Sequence, residues 1–370
     1  MDFFLNILAL GSWKNRIGNF AIALLTLSLS AFPASASPQR FSEWCSTRNG
    51  ASAETQQTVD LLLQIAGTSD CQRAEEILSQ RTSLDLGGSQ IADIRPLASL
   101  TNLTVLALGG NQIEDLSPLS SLTNLTWLAL DVNGIRDVSP LSSLVNLETL
   151  VLDTNQISNL RPLAGLTQLK SLTLFDNQIT DIAPLASLTQ LQVLALFDNQ
   201  IVDISPVANF SNLTHLLLFN NQIVDLTPLS NLSKLTSLSL GNNQIRDLSA
   251  IAALDQLTNL TLFANQIADL SPLSNLNNLK TLSLGNNPIS DLTPLTSLTK
   301  LEEILLFNNT ISDVTALESL IQLRWLDLYN NQVTDVSSLD SLNKLRRLDL
   351  RRNPLGEQSC PVEPESVCLF

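Results

Sequence analysis

One spacing constrains this chain more than anything else: the same residue pattern returns every 22 positions, without insertion or deletion, through twelve successive intervals. With Asn111 as reference, the equivalent positions are Asn133, Asn155, Asn177, Asn199, Asn221, Asn243, Asn265, Asn287, Asn309, Asn331 and Asn353, and Ser89 holds the place in the first unit. The template reads L-x-x-L-x-L-x-x-N-x-I-x-D-L-S-P-L-x-x-L-x-x. A unit this short cannot bury its own leucines, so neighbours must stack on each other and the two ends need covers. The expected fold is an α/β solenoid of thirteen units. That replaces the two ordinary domains that 370 residues could otherwise form.

The local physics of a unit follows from the template. In Trp127-Leu128-Ala129-Leu130 the alternation is that of a short strand, leucines inward and the intervening residues outward. Asn133 then turns the chain, its amide pairing with backbone groups that a curved turn leaves open, and stacked asparagines should form a ladder. Ser139-Pro140-Leu141 opens a helical turn, with Ser as N-cap and Pro at the first helical position. Proline fills that slot in nine of twelve units, and Ala250, Ala316 and Ser338 replace it. The outer side has room for a 3₁₀ turn or a very short helix only. Two positions after each Ile stands an Asp (Asp93, Asp115, Asp137, Asp181 and onward) in eleven of twelve units, with Asn159 the exception. A row of cation ligands is one reading. Acceptors for backbone N–H groups at the turn is the other, and a single Asn in the slot fits it better.

Both ends of the array carry their own signals. Lys14 and Arg16 precede an apolar run from Ile17 to Phe32, and Ala34-Ser35-Ala36 follows. This is the pattern of a cleavable secretory signal over residues 1–36, with an uncleaved anchor as the alternative. Residues 37–80 are expected to form a helical N-terminal cap. Ser52 opens one helix stopped by Gly67, and Ser69 with Gln72 forms a capping box for a second helix ending near Ser79. The repeats span 81–353, and 354–370 form an irregular C-terminal cap. Four cysteines allow three pairings. Cys45 and Cys71 lie before the repeats and Cys360 and Cys368 after them, so proximity favours Cys45–Cys71 and Cys360–Cys368. A metal site is disfavoured by the absence of C-x-x-C pairs. The mature chain is expected to be exported, periplasmic or secreted, with no membrane span, and monomeric.

Composition narrows function. Leucine supplies 79 residues, while histidine and tyrosine occur once each. Asp and Glu (35) exceed Lys and Arg (20), a formal charge of −15 that repels nucleic acid. His215 has no nucleophile or orienting acid placed by pattern. The expectation is a non-enzymatic protein without cofactor or metal. Sequons such as Asn102-Leu103-Thr104 arise from the repeat itself and carry no weight.

The template resembles the 22-residue leucine-rich repeats of bacterial surface and secreted proteins of the internalin type. The end sequences, Phe41-x-x-Trp44-Cys45 and Cys360 to Cys368, resemble exported cyanobacterial members. The resemblance implies a horseshoe with a parallel sheet on its concave face, 3₁₀ or short helical turns on the convex face, and disulfide-closed caps. It also implies recognition of a protein on the concave face. The immunoglobulin-like extension and wall anchor of internalins have no counterpart, so an invasion role does not carry over. An intracellular phosphatase-regulating family shares the repeat length, and the signal segment argues against it.

The outward positions hold the scarce residues. Two before each Asn the sequence reads Gly87, Gly109, Asp131, Asp153, Phe175, Phe197, Phe219, Gly241, Phe263, Gly285, Phe307, Tyr329, Arg351. Trp127 and Trp325 lie four residues earlier on their own strands. Of nine aromatics in the array eight are outward, and Phe210 alone takes a leucine slot. Exposed aromatics beside Asp176, Asp198, Asn220, Asn308 and Asn330 have the composition of a protein-binding hot spot. The competing expectation is an aromatic ladder in which Phe175, Phe197 and Phe219 stack and cover the strand ends. The candidate partner-binding set is Trp127, Phe175, Phe197, Phe219, Phe263, Phe307, Trp325, Tyr329, Asp176, Asp198 and His215. A protein partner is the first expectation, and a glycan or cell-envelope ligand on the same strip is the second. Asp131, Asp153, Asp176 and Asp198 form an acidic run, expected to be a solvated surface ahead of an ion site. Arg324, Arg346, Arg347, Arg351 and Arg352 lie on the last strands beside Asp327 and Asp349.

Overall fold

The computed structural model describes residues 39–357 and 359–370; the expected signal segment lies outside the described residues. Fourteen strands form one parallel sheet in strict sequence order, β1 (Ser83–Asp85) at one edge and β14 (Cys368–Leu369) at the other. From β1 to β13 (Arg347–Asp349) each strand pairs with the residue 22 positions on, as in Leu128↔Leu150 and Leu326↔Leu348. The repeat period is therefore the pairing register. On the opposite side each unit makes a 3₁₀ turn of three to five residues, such as Ser117–Ser121. The leucine, isoleucine and valine slots between sheet and turns are almost completely buried, and Phe210 is fully enclosed in its leucine slot.

The asparagine ladder forms as expected. Asn155 Nδ2 donates to the carbonyls of Leu152 and Leu130, both at 3.0 Å, and its Oδ1 accepts from Ile135 N at 3.1 Å. One amide thus ties its own turn to the preceding unit and satisfies backbone groups that the bend leaves unpaired.

The aspartate row serves as backbone acceptors. Asp137 Oδ1 accepts from Ser139 N at 2.9 Å, Asp269 from Ser271 N at 2.8 Å, and Asn159 does the same for Arg161 N at 3.1 Å. Hydroxyl and backbone donors of the following Ser or Thr hold the Asp247, Asp291 and Asp313 carboxyls below the usual carboxylate range. This changes the role expected of Ser139. It is the first residue of the turn, and the cap is the carboxylate two residues earlier. The geometry favours Asp because a charged acceptor binds the turn's first free N–H more strongly than a hydroxyl.

The N-terminal cap contains three helices where the sequence suggested two: α1 (Phe41–Thr47), α2 (Ala53–Ala66) and α3 (Cys71–Ser79). α1 has no side-chain N-cap, which removes the usual signature of a start. Ser52 caps α2 by accepting from Thr55 N, and Gly67 ends it at φ 68°. α3 departs from expectation: Asp70, not Ser69, is its cap and accepts from Arg73 N at 2.9 Å. Thr55 and Thr58, fully buried on α2, donate to the Asp93 carboxylate and carbonyl at 2.5 and 2.7 Å, fastening cap to first repeat. Cys45–Cys71 joins α1 to α3 and Cys360–Cys368 closes the other end. The C-terminal cap is more regular than expected. β14 extends the sheet by pairing Leu348↔Cys368, so the last repeat does not end on open backbone. Among the described residues no helix is long and apolar enough to cross a membrane.

Candidate functional site

Strand register sorts the outward residues into rows that run across the sheet. The first row holds the leading residue of each strand, from Trp127 on β3 (Trp127–Ala129) through Val193, His215, Ser237 and Asn259 to Trp325 on β12 (Trp325–Asp327) and Arg347 on β13. Phe175, Phe197, Phe219, Phe263, Phe307 and Tyr329 share a second row four residues further along, where the strand runs into its turn. Trp127, His215 and Trp325 therefore stand apart from the Phe row and from one another. His215 is half-buried on β7 (His215–Leu217). Its Nδ1 lies 2.9 Å from the Thr214 hydroxyl, and burial lowers its pKa.

The Phe row is continuous but differs in one respect from expectation: none of the eight outward aromatics is fully exposed. Phe197, Phe219, Phe263 and Phe307 each lie against the preceding repeat. Phe175, Phe197 and Phe219 stack with centroids 4.2 Å apart and ring planes within 10° and 13°. Phe197, the middle ring, keeps 7% of its surface accessible. Further along, the seat of the ring changes. A Cβ on Gly241 would come within 2.4 Å of the Phe263 ring, and one on Gly285 within 2.3 Å of the Phe307 ring. Phe263 and Phe307 lie flat over bare backbone. Phe197 is packed on both faces, whereas the other rings of the row remain half-buried. The F-G-F-G-F run in one repeat slot (Phe219, Gly241, Phe263, Gly285, Phe307) is the sequence signal of this arrangement.

The polar residues beside the rings have a backbone reason to be there. Asp176, Asp198, Asn220, Asn242, Asn286, Asn308 and Asn330 all sit at φ between 51° and 56°, a left-handed conformation that Asn and Asp tolerate better than other non-glycine residues. Their side chains link along the row, with Asn330 donating to Asn308 at 2.8 Å and Asn308 to Asn286 at 2.7 Å. Val132 and Thr154 occupy the same conformation with branched Cβ atoms, a strained choice.

The acidic run is not the solvated surface expected of it. Asp153 is 5% exposed; Thr173 Oγ1 lies 2.7 Å from one oxygen, and Phe175 N donates to the other at 3.0 Å. Burial first, with smaller contributions from Asp131 and Asp176, pushes its carboxyl up to about 7. Burial also raises Asp131, whose carboxylate lies over Gly109 much as Phe263 lies over Gly241. No sequence signal separates Asp153 from exposed acids, because the Thr173 hydroxyl and Phe175 N–H that hold it come from the next repeat. Among the described residues no group of three or more His, Cys, Asp or Glu is placed to hold a metal ion.

A second feature occupies the other end of the sheet. Arg347 lies 5.1 Å over the Trp325 ring, and Arg351 and Arg352 lie 5.6 and 5.4 Å from the centre of the Tyr329 ring. Asp349, nearly buried, is held by Arg351 through two bonds of 3.0 and 2.5 Å.

These features define a class, an open parallel solenoid whose variable residues are gathered on one sheet face. The family description "Leucine Rich repeats (2 copies)" matches residues 82–121, 123–165, 167–209, 211–253, 255–297, 278–319 and 321–359, and the chain belongs to the leucine-rich-repeat family. Among solved structures it is similar to the internalin InlF of Listeria monocytogenes, with 36% identity and TM-score 0.77 over 80% of this chain and 89% of that one. The functional domain of InlJ from the same organism gives 26% identity and TM-score 0.60 over 74% and 68%. The ectodomain of the Arabidopsis thaliana receptor kinase GASSHO1/SCHENGEN3, in complex with CASPARIAN STRIP INTEGRITY FACTOR 2, gives 25% identity and TM-score 0.56 over 73% of this chain and 41% of that one. No curated protein sequence matches the chain.

Proposed function

We propose that this chain is an exported, non-enzymatic, monomeric module that binds a protein partner across the aromatic row of its sheet face. The observation that carries this reading is the row itself, six aromatic rings at one slot between β5 (Ser171–Thr173) and β12, in a chain whose inward slots are nearly all leucine, isoleucine or valine. The seven strand intervals from β5 to β12 make a platform of roughly 34 Å, long enough for a protein surface or an extended segment. Half-buried rings held flat are pre-organised, so ordering them on binding costs little entropy. The likeness to internalins and to a receptor ectodomain in complex with another chain supports the same reading. Two disulfides suit an oxidising compartment, which agrees with export.

Capture from the exported fraction on immobilised protein tests it, with Phe219→Ala/Phe307→Ala as the comparison. These rings are half-buried, and Phe197 keeps its stacking on Phe175 in the variant. Retained partner should fall at least about tenfold in the variant while the thermal midpoint moves only a few degrees. Undiminished capture by the variant sinks the assignment of the row. Glycan-array hits with empty protein capture would establish the carbohydrate alternative instead.

A further inference from the structure

The sheet changes sign along its length, and the change is localised. A depression of about 420 Å³ lies over β9 (Asn259–Thr261), β10 (Thr281–Ser283), β11 (Glu303–Leu305), β12 and β13. Register places Glu303, Trp325 and Arg347 in one row of its floor. Lys280, Glu302, Arg324 and Arg346, each one residue earlier, form the row beside it. Four cations therefore face two anions in a chain whose formal charge is −15. Glu302 is already engaged by Arg324 at 3.5 Å, and Glu303 is half-buried with its carboxyl pushed up by burial. Lys280, Arg324, Arg346 and Arg347 are all exposed, Arg324 keeping its contact with Glu302 and Arg347 its seat on Trp325. The neighbouring acid Asp349 is neutralised by its pairing with Arg351. Among the cations the Trp325 ring carries the Arg347 guanidinium on its face, and its indole N–H is enclosed without an acceptor.

We infer that this depression is the subsite for a short carboxylate-rich segment of the protein partner, Arg324, Arg346 and Arg347 pairing with its acids and Trp325 holding Arg347 in place. The inference rests on the protein-binding reading above and names the chemistry of one part of that interface. Size decides the class of ligand. Five strands span four intervals, about 19 Å, which matches five or six residues of extended peptide at about 3.3 Å each. A long polyanion that continued along the sheet would meet Asp198, Asp176 and Asp131 and be repelled. Guanidinium groups suit carboxylates because their planar fork can donate twice to one group.

Fluorescence anisotropy of fluorescein-labelled pentaglutamate against the disulfide-intact protein tests the subsite. Binding should saturate with a Kd below about 1 mM at low salt and vanish at about 0.5 M salt, where charges are screened within a few ångströms. Arg324→Gln/Arg347→Gln should weaken it at least about tenfold, and Arg246→Gln, an arginine away from the depression, should leave it within about twofold. Absence of saturable binding overturns the inference, as does equal binding by the double variant. Tighter binding of an oligogalacturonate or a pentanucleotide of matched charge also overturns it, assigning the depression to another class of ligand. Partner capture that depends on Phe219 and Phe307 while pentaglutamate fails would remove the subsite and leave the protein-binding reading standing. Pentaglutamate binding with empty capture would do the reverse.

Discussion

Phe197 and Phe263 occupy the same slot three repeats apart, yet they rest on different things. Phe197 is sandwiched between two rings at 4.2 Å. Phe263 lies over the bare backbone of Gly241, whose missing side chain is what makes room for it. Beneath both rings the architecture is the same. Asn199 and Asn265 each bond three carbonyls of their own and the preceding unit and accept one backbone N–H. The repeat thus separates two tasks. An inner layer is identical everywhere and sets the stacking, while an outer layer need only be filled, and neighbouring repeats can fill it in different ways.

If that separation holds, the inner layer should dominate stability equally in both regions. Asn199→Ala and Asn265→Ala each leave one backbone N–H, of Ile179 or Ile245, without its acceptor and strip one donor from three carbonyls that keep another, and each should cost about 2–3 kcal/mol in denaturant unfolding. The two losses should agree within about 1 kcal/mol. A large inequality would break the claim that the regions differ only in their outer layer.

The acidic end of the row provides the next test, because there the slot before the first ring holds Asp153. Its carboxyl is pushed up from 3.8 to about 7, so the folded state holds a proton that the unfolded chain releases earlier. The stabilisation is fully present below about 3.8 and is lost as pH rises through about 7, by an amount on the order of 3–4 kcal/mol at most. Unfolding free energies measured from pH 4 to 8 should fall with pH in this window. Asp153→Asn should remove that part of the slope. An unchanged slope would show that water reaches the carboxyl.

The smallest effect addresses the glycine seats. Gly241→Ala should displace the Phe263 ring and cost about 1–2 kcal/mol, whereas Gly165→Ala, with open space around it, should change stability by less than about 0.5 kcal/mol. In the double variant Gly241→Ala/Phe263→Ala the penalty of the alanine should disappear. If Gly241→Ala costs the same with and without the ring, Phe263 does not use the glycine as its seat.

Much of the inner layer was legible in the sequence. The 22-residue period is the strand register, the Asn column is the ladder, and the single Asn among the aspartates pointed to an acceptor role that the turns display. Ser139 and Ser69 were misread as caps because Ser satisfies the rule for a cap by itself. Which neighbour reaches the N–H depends on turn geometry, and in both places an aspartate does so. α1 went unseen for want of a capping signature, although its Phe41 is fully buried.

The site was legible as a set of residues and not as an arrangement. The sequence located eight outward aromatics and a charge gradient. It could not distinguish a ring standing into solvent from one lying on the previous repeat, or a surface aspartate from Asp153. It did not separate Trp325 and its arginines from the Phe row as a depression of their own. The physical reason lies in the range of the interactions. Register, ladder and turn caps are made by the same contacts in every unit, so periodicity alone determines them. Ring seats, the burial of Asp153 and the cationic depression depend on which two or three unlike side chains become neighbours across strands, and stacking in three dimensions decided those.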